Sequence, residues 1–577
     1  MPDSENKMIS GAEAIVQILI AYEVKFVFGV PGDTSLPLYD ALYKNSSKIK
    51  HILARDERSA VFMADAYSRL THKPAVCECP SGAGALYSIP GVAEANASSI
   101  PVILLTSGVA LAGENKGTIT ELDHHKLFEP VTKWSSFLKY TNKIPDTLRR
   151  AFRIATTGRP GAVHLSFPVE VMNGRINKKE MNIYSEIDCM TYPAYRTRGD
   201  AHRIKQLANL IKEAKQPVII AGGGSVHSRA GELIIKIAER MSIPVATTIS
   251  GQGIMPDDHV LAIGVVGDNG FHPHAHAAID GADTLIYLGC KMGSVSTIKW
   301  TKPSTDSNQK IIQVDIDPVM LSNNYKNEVC IAGDIFLVLK DLYTELKNMG
   351  CRSDKTSWSQ HINQIRKTFW QDSKVQLHSN AIPIKPQRVI NAVNKFLLEP
   401  SVVISDAGTP TPYITRFLRL KGNKSRFIIP RAFGGLGYAI PAVVGAFLAR
   451  PDAKIIGMFG DGSLGMSAGE LETLVRLNIQ TILIHFNNGS FGWIKALQSI
   501  HSEERFMSVD FTQKNMAKVA IAFGIKSFYV QTPDELDRAF NEAIKHTGPV
   551  FIDVLTEPEV SELPPVYSWH HTKKIHG

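Results

Sequence analysis

Short apolar runs alternate with helical segments along almost the whole chain, and this alternation limits the folds open to it. Near the beginning, KFVFGVPG, PAVCECPSGAGAL and IPVILLTS have the composition of strands that end in turns, whereas ERSAVFMADAYSRL spaces its apolar side chains as a helix does. Short strands between helices predict a parallel sheet with crossover helices. Because the pattern returns twice, we predict an α/β fold of three consecutive doubly wound parallel-sheet domains.

Polar segments between the three stretches indicate the domain boundaries. A chain of 577 residues has room for three or four domains. Irregular polar sequence near 172–200 separates the first stretch from the second, and NMGCRSDKTSWSQ separates the second from the third. We therefore predict domains at residues 1–185, 190–346 and 380–577.

Composition removes several classes of protein. Hydrophobic residues make up 44% of the chain and charged residues 20%, which is the balance of a globular protein. The net charge of +8 comes from scattered residues, so we expect no nucleic-acid groove. Six cysteines are too few for a dense disulfide framework. The N-terminal MPDSENKMIS has no apolar h-region and no apolar run is long enough to cross a bilayer, so we predict a cytoplasmic protein without a membrane span.

The most informative motif is Gly460-Asp461-Gly462-Ser463, which directly follows the apolar run IIGMF. Asp461 is thus expected at the carboxyl end of a parallel strand, where ligands of open α/β sheets bind. Asn487 and Asn488 follow a second apolar run, TILIHF. If the two strands are neighbours, Asp461 and Asn488 can share one hard cation. Mg²⁺ would complete its octahedron with a backbone carbonyl, a water and diphosphate oxygens.

Together these motifs resemble the metal–diphosphate motif of thiamine-diphosphate enzymes. ARDERSAVFMADAYSRL resembles the segment that carries the family's pyrimidine-activating glutamate, which falls on Glu57. SGAGALYSIPGVAEANASSIPVILLTS is similar to the family's SGPGATN-like turn with its following helix and strand. The resemblance covers nearly the whole chain, and acetolactate synthases and pyruvate oxidases are the relatives it resembles most. It implies a pyrimidine-binding, a central and a diphosphate-binding domain, in that order.

The resemblance also implies how the pyrimidine end of the cofactor is held. Glu57 would share a proton with N1′ of the aminopyrimidine, and a carboxyl removed from water has the raised pKa that suits this role. Leu436 would be the apolar wedge that folds the cofactor, at a position where many acetolactate synthases have Met. Gly434 would offer its carbonyl to the 4′-amino group.

At the diphosphate end, the resemblance implies that Asp461 and Asn488 bind Mg²⁺ through their side chains and Ser490 through its backbone carbonyl. The other cofactor contacts implied there come from the glycine-rich turns and from Asn488: Gly408, Gly460, Gly462, Ser463 and Asn488. Bound thiamine diphosphate supplies the electron sink for decarboxylation of a 2-oxo acid.

The residues that select the outcome of the reaction are harder to predict. His124 and His125 are candidates for a proton relay, with exposed loop histidines as the alternative. Trp493 and Ile494, in NNGSFGWIKALQ, are candidate walls of the substrate pocket, with helix-core packing as the alternative. This segment resembles pyruvate oxidases more than biosynthetic synthases, because Leu497 stands where those synthases have Trp.

A flavin is the less favoured possibility for the central domain. Gly222-Gly223-Gly224 and VDIDP are compatible with FAD, but GCKMGSVSTIKW departs from the GARFDDR-like pattern of the synthases. The glycine triplet does not match G-x-G-x-x-G, so a tight strand-to-helix turn is the simpler interpretation.

The resulting prediction is a thiamine-diphosphate- and Mg²⁺-dependent enzyme that decarboxylates a pyruvate-like 2-oxo acid and joins the product to a second carbonyl, as acetolactate synthases do. The alternatives are a flavin-linked pyruvate oxidase, a simple 2-oxo-acid decarboxylase and a catalytically silent regulatory homologue. Since Glu57 and Asp461 belong to different domains, the resemblance implies active sites at the subunit interface of a homodimer or homotetramer.

Overall fold

A computed structural model describes residues 8–572, apart from residues 180, 353–355, 398, 423 and 513. The described strands are, in chain order, β1 (Met8–Ser10), β2 (Phe26–Gly29), β3 (Lys50–Leu53), β4 (Ala75–Cys79), β5 (Val102–Gly108), β6 (Trp134–Phe137), β7 (Val163–Pro168), β8 (Arg175–Asn177), β9 (Pro217–Ala221), β10 (Val245–Thr247), β11 (Ala262–Val265), β12 (Thr284–Leu288), β13 (Lys310–Asp315), β14 (Val329–Ala332), β15 (Ser401–Ser405), β16 (Arg426–Ile428), β17 (Lys454–Gly460), β18 (Thr481–Asn487), β19 (Lys526–Val530) and β20 (Val550–Leu555).

The α-helices that separate these strands are α1 (Gly11–Ala21), α2 (Leu36–Lys44), α3 (Glu57–Thr71), α4 (Ala83–Ala97), α5 (His124–Phe128), α6 (Ile144–Thr156), α7 (Val169–Asn173), α8 (Ala201–Glu213), α9 (Gly223–His227), α10 (Gly231–Met241), α11 (Pro273–Gly281), α12 (Ile335–Asn348), α13 (Thr356–Asp372), α14 (Lys374–Leu377), α15 (Pro386–Phe396), α16 (Pro410–Phe417), α17 (Ala439–Ala449), α18 (Asp461–Ser467), α19 (Glu470–Arg476), α20 (Gly492–His501), α21 (Ala517–Ala522), α22 (Pro533–Ala543) and α23 (Tyr567–Thr572).

Three six-stranded sheets organise the described part of the chain, and every strand pairing within them is parallel. The first sheet has the order β3-β2-β4-β5-β7-β6, and the third repeats this order as β16-β15-β17-β18-β20-β19. The middle sheet, β11-β10-β9-β12-β13-β14, has the doubly wound order 3-2-1-4-5-6. The predicted α/β fold class is therefore confirmed, whereas the exact domain limits stay a prediction.

One local expectation differs from the structure. The segment near 172–200, expected as irregular polar sequence, contains β8, which pairs antiparallel with β1. The reason is that strand pairing depends on packing between segments far apart along the chain, and local composition does not show it.

By its internal contacts the chain divides into two compact units. Unit 1 holds the described residues up to Tyr195 together with Pro430–Pro451 and Ser467–Ile479, and unit 2 holds Arg196–Ile429, Asp452–Met466 and the described residues from Gln480 onward. Among the described residues, no helix has both the length and the apolar character that crossing a membrane requires.

Helix α3 is the central helix of unit 1, and two glycines let its neighbours come close. A Cβ added at Gly445 of α17 would lie 1.9 Å from the Met63 carbonyl oxygen, and one added at Gly91 of α4 would lie 2.5 Å from Val61 Cβ. Both separations are far below a van der Waals contact, so only glycine fits at these two positions. As a result, the helix that begins at Glu57 is packed tightly against α4 and α17.

Candidate functional site

In unit 2, Asp461 and Asn488 are in contact at the carboxyl ends of neighbouring strands. β17 ends at Gly460 and pairs in parallel with β18, so the segments that follow the two strands begin at the same edge of the sheet. Asp461 Oδ2 accepts hydrogen bonds from the backbone N–H of Asn488 at 3.0 Å and of Gly489 at 3.1 Å. The Asp461 carboxylate thus lies against the backbone of Asn488, the residue that the sequence paired with it as a cation ligand.

The side chain of Asn488 is held at both ends. Its Oδ1 accepts from the backbone N–H of Ser490 at 3.1 Å and from the Ser490 hydroxyl at 2.9 Å. Its Nδ2 donates to Glu559 Oε1 at 2.7 Å. Burial raises the pKa of Glu559 to about 7, against the opposing effect of its hydrogen bonds.

A buried histidine lies behind Asp461. His485, in β18, is fully buried, and its Nε2 is 3.5 Å from Asp461 Oδ1, at the limit of a hydrogen bond. Its Nδ1 is 2.8 Å from Asp553 Oδ1. Burial alone would lower the pKa of His485, but the two carboxylates raise it to about 9. His485 is therefore positively charged at neutral pH and forms an ion pair with the Asp461 carboxylate.

The glycine-rich turns of unit 2 lie at this same edge. β15 pairs with β17, so the turn with Gly408 opens beside the turn with Gly460 and Gly462. Gly408 has φ +102°, a conformation that side chains rarely adopt. A Cβ added at Gly460 would have its closest described atoms, Phe486 O and Pro410 Cδ, at 3.9 Å. A Cβ at position 460 would thus make only ordinary van der Waals contacts, and Ser463 is buried one turn further on.

The donor set at this edge fits Mg²⁺ and a diphosphate. Mg²⁺ prefers oxygen ligands, binds one or two carboxylates, and takes the rest from water and phosphate. In the part of the chain that the structure describes, no group of three or more His, Cys, Asp and Glu side chains could hold a metal ion. A cation beside Asp461 would find other oxygen donors in the Asn488 amide, backbone carbonyls, water and a diphosphate, which matches this preference.

In unit 1, Glu57 is the first residue of α3. The Asp56 carboxylate caps the helix by accepting from the N–H groups of Arg58 and Ser59. Glu57 is 9% exposed, and burial raises the pKa of its carboxyl. A Cβ added at Gly84 would lie 2.9 Å from Glu57 Oε1, so the glycine of the SGAG turn makes room for this carboxyl. The surroundings of Glu57 therefore favour the protonated form of its carboxyl.

The loop with Gly434 and Leu436 also belongs to unit 1, and it is held by a buried carboxylate that the sequence did not reveal. Glu94, 1% exposed, accepts from the backbone N–H groups of residues 431, 432 and 433 at 3.0, 3.1 and 2.8 Å. Three donors on one carboxylate fix the entry to the loop. Gly434 has φ +68°, and Leu436 is half-buried.

The two histidines of the predicted relay lie in different surroundings. His124 is buried, and its Nδ1 lies 2.9 Å from Thr106 Oγ1 and 3.2 Å from Ser166 Oγ. Burial lowers the pKa of His124 to about 4, so it is neutral at pH 7. His125 is exposed, with Nδ1 3.1 Å from Ser135 Oγ. Both histidines thus lie in α5, with His124 buried and His125 exposed, and their part in a proton relay stays a prediction.

The candidate pocket residues of α20 point in different directions. Trp493 packs against Trp569, with ring centroids 4.5 Å apart, and both belong to one apolar cluster with Leu497. Ile494 is 47% exposed. Their roles at a substrate pocket stay predictions.

The glycine triplet of the middle sheet is filled by the protein itself. A Cβ added at Gly222 would lie 2.3 Å from Gly289 O, and one added at Gly224 would lie 2.8 Å from Gly289 Cα. The two glycines let the segment after β9 approach the segment after β12 closely. This agrees with the interpretation of the triplet as a tight strand-to-helix turn.

Comparison with known proteins places the chain in a family. Residues 9–127, 204–342 and 406–554 match the N-terminal TPP-binding, central and C-terminal TPP-binding domains of thiamine pyrophosphate enzymes. The chain is 35% identical to a probable acetolactate synthase large subunit of Methanocaldococcus jannaschii over 95% of its length and 92% of that protein. It is 32% identical to the acetolactate synthase large subunit of Haemophilus influenzae over 95% of its length and 94% of that protein. The chain belongs to the thiamine pyrophosphate enzymes and is a thiamine-diphosphate-dependent enzyme of the acetolactate synthase type.

Proposed function

We propose that the protein decarboxylates pyruvate or a closely related 2-oxo acid and joins the remaining acyl unit to a second 2-oxo acid, with Mg²⁺ as the metal. The observation that carries the proposal is the contact of Asp461 with the Asn488 turn, because this pair gives a diphosphate its counter-cation. The relatives named acetolactate synthase large subunit, similar over nearly the whole chain, support the choice of reaction.

Each part of the site has a task in this proposal. The Asp461 carboxylate, the Asn488 amide oxygen and the Ser490 carbonyl hold Mg²⁺. The turns with Gly408, Gly460, Gly462 and Ser463 face the diphosphate. When bound, thiamine diphosphate supplies the electron sink for loss of CO₂.

The pyrimidine end is the task of residues in unit 1. Glu57 would hold a proton at its carboxyl for exchange with N1′, for which its buried position is suited. The Gly434 carbonyl would accept from the 4′-amino group, and Leu436 would pack against the cofactor. His124, which burial keeps neutral at pH 7, could relay a proton only through its ring N–H, and His125 is the exposed one of the two candidates.

The assembly and the flavin remain part of the proposal. We expect a homodimer or homotetramer in which Glu57 of one chain and Asp461 of another serve the same cofactor. FAD in the central domain stays the less favoured possibility. The protein is expected in the cytoplasm.

Product analysis tests the reaction. Purified protein is incubated with pyruvate, thiamine diphosphate and Mg²⁺, and acetolactate, acetaldehyde and acetate are separated. Acetolactate as the main product supports the proposal, and the Asp461→Ala variant should give none. Acetaldehyde as the main product would indicate a simple decarboxylase. Acetate, together with a yellow colour of the purified protein, would indicate a flavin-linked oxidase. If the chain binds the cofactor but forms no product, it is a catalytically silent homologue.

A further inference from the structure

Glu559 is a buried acidic residue beside the Asp461–Asn488 edge, and the proposed function gives it no task. It follows β20, which is the neighbour of β18 on the side away from β17. Its side chain is 3% exposed although it lies only a few residues beyond a strand end, where glutamates are normally solvated. A carboxyl buried in this way needs partners, and its partners are the loops of the cofactor edge.

Two of those loops meet at Glu559. Oε1 accepts from Asn488 Nδ2 at 2.7 Å, and the Thr409 hydroxyl also hydrogen bonds to the carboxyl. Thr409 follows Gly408 in the turn after β15, and Asn488 lies in the turn after β18. One side chain therefore connects the turn that faces the diphosphate with the turn that supplies the metal ligand.

Gly492 makes room for this carboxyl. A Cβ added at Gly492 would lie 2.1 Å from Glu559 Oε2 and 2.4 Å from its Cδ. Its φ is not among the positive values of the chain, so the backbone itself does not require glycine there. The neighbour that requires glycine at position 492 is Glu559.

The direction of the Asn488 amide follows from this contact. An asparagine side chain donates through its NH₂ group, Nδ2, and accepts through its carbonyl oxygen, Oδ1. The Glu559 oxygen in contact with Nδ2 is the acceptor of that hydrogen bond. Glu559 takes the donor end, so Oδ1 is turned to the opposite side, where it meets Ser490. An amide turned over would aim its NH₂ group at the cation and lose a ligand.

We propose that Glu559 is a positioning residue for the metal site, one that fixes the Asn488 amide with Oδ1 toward Mg²⁺ without binding the cation itself. The inference rests on the proposed function, since it assigns Asn488 as a metal ligand. Outer partners that orient metal ligands typically affect metal affinity by about 10–100-fold when removed. The same range is expected for Glu559.

The test measures Mg²⁺ affinity, not turnover. Isothermal titration calorimetry with MgCl₂ is run on the full-length protein at saturating thiamine diphosphate. Glu559→Ala is expected to weaken Mg²⁺ binding about 10–100-fold. Glu559→Gln keeps both the volume and an acceptor for Nδ2 and should stay within about threefold of wild type. Glu559→Met keeps a similar volume without an oxygen acceptor and should weaken Mg²⁺ binding like Glu559→Ala, whereas a merely space-filling role would leave its affinity near that of wild type. The control is Glu557→Gln, whose side chain pairs with Lys385.

Gly492 supplies an independent arm. Gly492→Ala should displace the Glu559 carboxyl and weaken Mg²⁺ binding like Glu559→Ala. In the Glu559→Ala background, Gly492→Ala should not weaken Mg²⁺ binding any further, because the carboxyl with which the new Cβ would clash is absent. Equal affinities of wild type and Glu559→Ala would overturn the inference, as would a Glu559→Gln variant as weak as Glu559→Ala. A wild-type protein that binds no Mg²⁺ with thiamine diphosphate would overturn the proposed function as well, so the two failures are distinguishable. If Glu559→Ala does not fold, Glu559→Gln and Gly492→Ala still decide.

Discussion

Tyr438 donates a hydrogen bond to Asp65 Oδ2 across 2.5 Å, and this contact ties the start of α17 to α3. Asp65 is fully buried and also receives Arg69 Nε at 2.6 Å. Since α3 begins at Glu57 and α17 follows the Leu436 loop, the bond connects two parts of the candidate site within unit 1.

Tyr438→Phe should therefore destabilise unit 1. The substitution keeps the ring but removes one of the two donors to the buried Asp65 Oδ2, the other being Arg69 Nε, at a cost of about 1–3 kcal/mol in the free energy of unfolding. Urea unfolding followed by circular dichroism measures the loss. Tyr140→Phe, at a 68% exposed tyrosine, is the control and should change almost nothing. Equal midpoints for Tyr438→Phe and wild type would show that the bond does not contribute.

Glu57→Gln should separate cofactor binding from cofactor activation. The amide is isosteric with the buried carboxyl but has no proton to share with N1′, so binding should persist while exchange of the thiazolium C2 hydrogen slows about 10²–10⁴-fold. Hydrogen–deuterium exchange read by NMR gives the rate, with Glu213→Gln on the exposed face of α8 as the matched control. Exchange at the wild-type rate would remove Glu57 from the activating role.

His124 should make the protein less stable in acid. The folded pKa is lowered to about 4 by burial, below the roughly 6.5 of an unfolded histidine, so the unfolded state binds more protons between these values. The stability that the neutral ring contributes is complete above about pH 6.5 and is lost as the pH falls toward 4, with a loss of about 2 kcal/mol at pH 5.

The comparison that isolates this effect is His124→Gln. Urea midpoints at pH 8 and pH 5 should fall less for the variant than for wild type, because glutamine does not titrate. Buried histidines away from His124, such as His272, are present in both proteins and cancel. An identical fall in the two proteins would mean that His124 keeps an ordinary pKa.

Subunit complementation should reveal whether the site is shared between chains. Glu57→Gln and Asp461→Ala chains, each inactive alone, are mixed under conditions of subunit exchange, which mass spectrometry verifies. If each cofactor uses one residue from each chain, mixed dimers contain one intact site and activity returns. Verified exchange without any activity would establish a site made within a single chain.

The placement of Asp461 and Asn488 at one sheet edge could be predicted from the sequence, because the motifs that indicate it are local. A carboxylate and an amide that each follow an apolar run are expected at one sheet edge whenever the runs are parallel neighbours, and β17 and β18 are such neighbours. The glycine at position 84 and the glutamate at position 57 were likewise part of contiguous motifs. Edge strands such as β3 and β16 were not recognised, because they are short and flanked by polar residues.

The supporting groups were missed for a different reason. Glu559 lies 71 positions from Asn488, and Glu94 lies 337 positions from Arg431, so no spacing rule connects them. The weak signals available were polar residues in apolar surroundings, such as His485 inside TILIHF. A polar residue within a buried strand needs a partner, but only the packed structure identifies it.

The close packing of Gly445 against Met63 has a consequence for how the protein is made. Helix α3 is buried on nearly all sides, yet one of the helices that cover it, α17, leaves the ribosome about 380 residues later, which at roughly 5–20 residues per second is on the order of 20–80 s. During that interval the N-terminal sheet can form while one face of α3 stays bare. A nascent chain arrested before Ala439 should accordingly be held by chaperones, and release should follow once α17 has been synthesised.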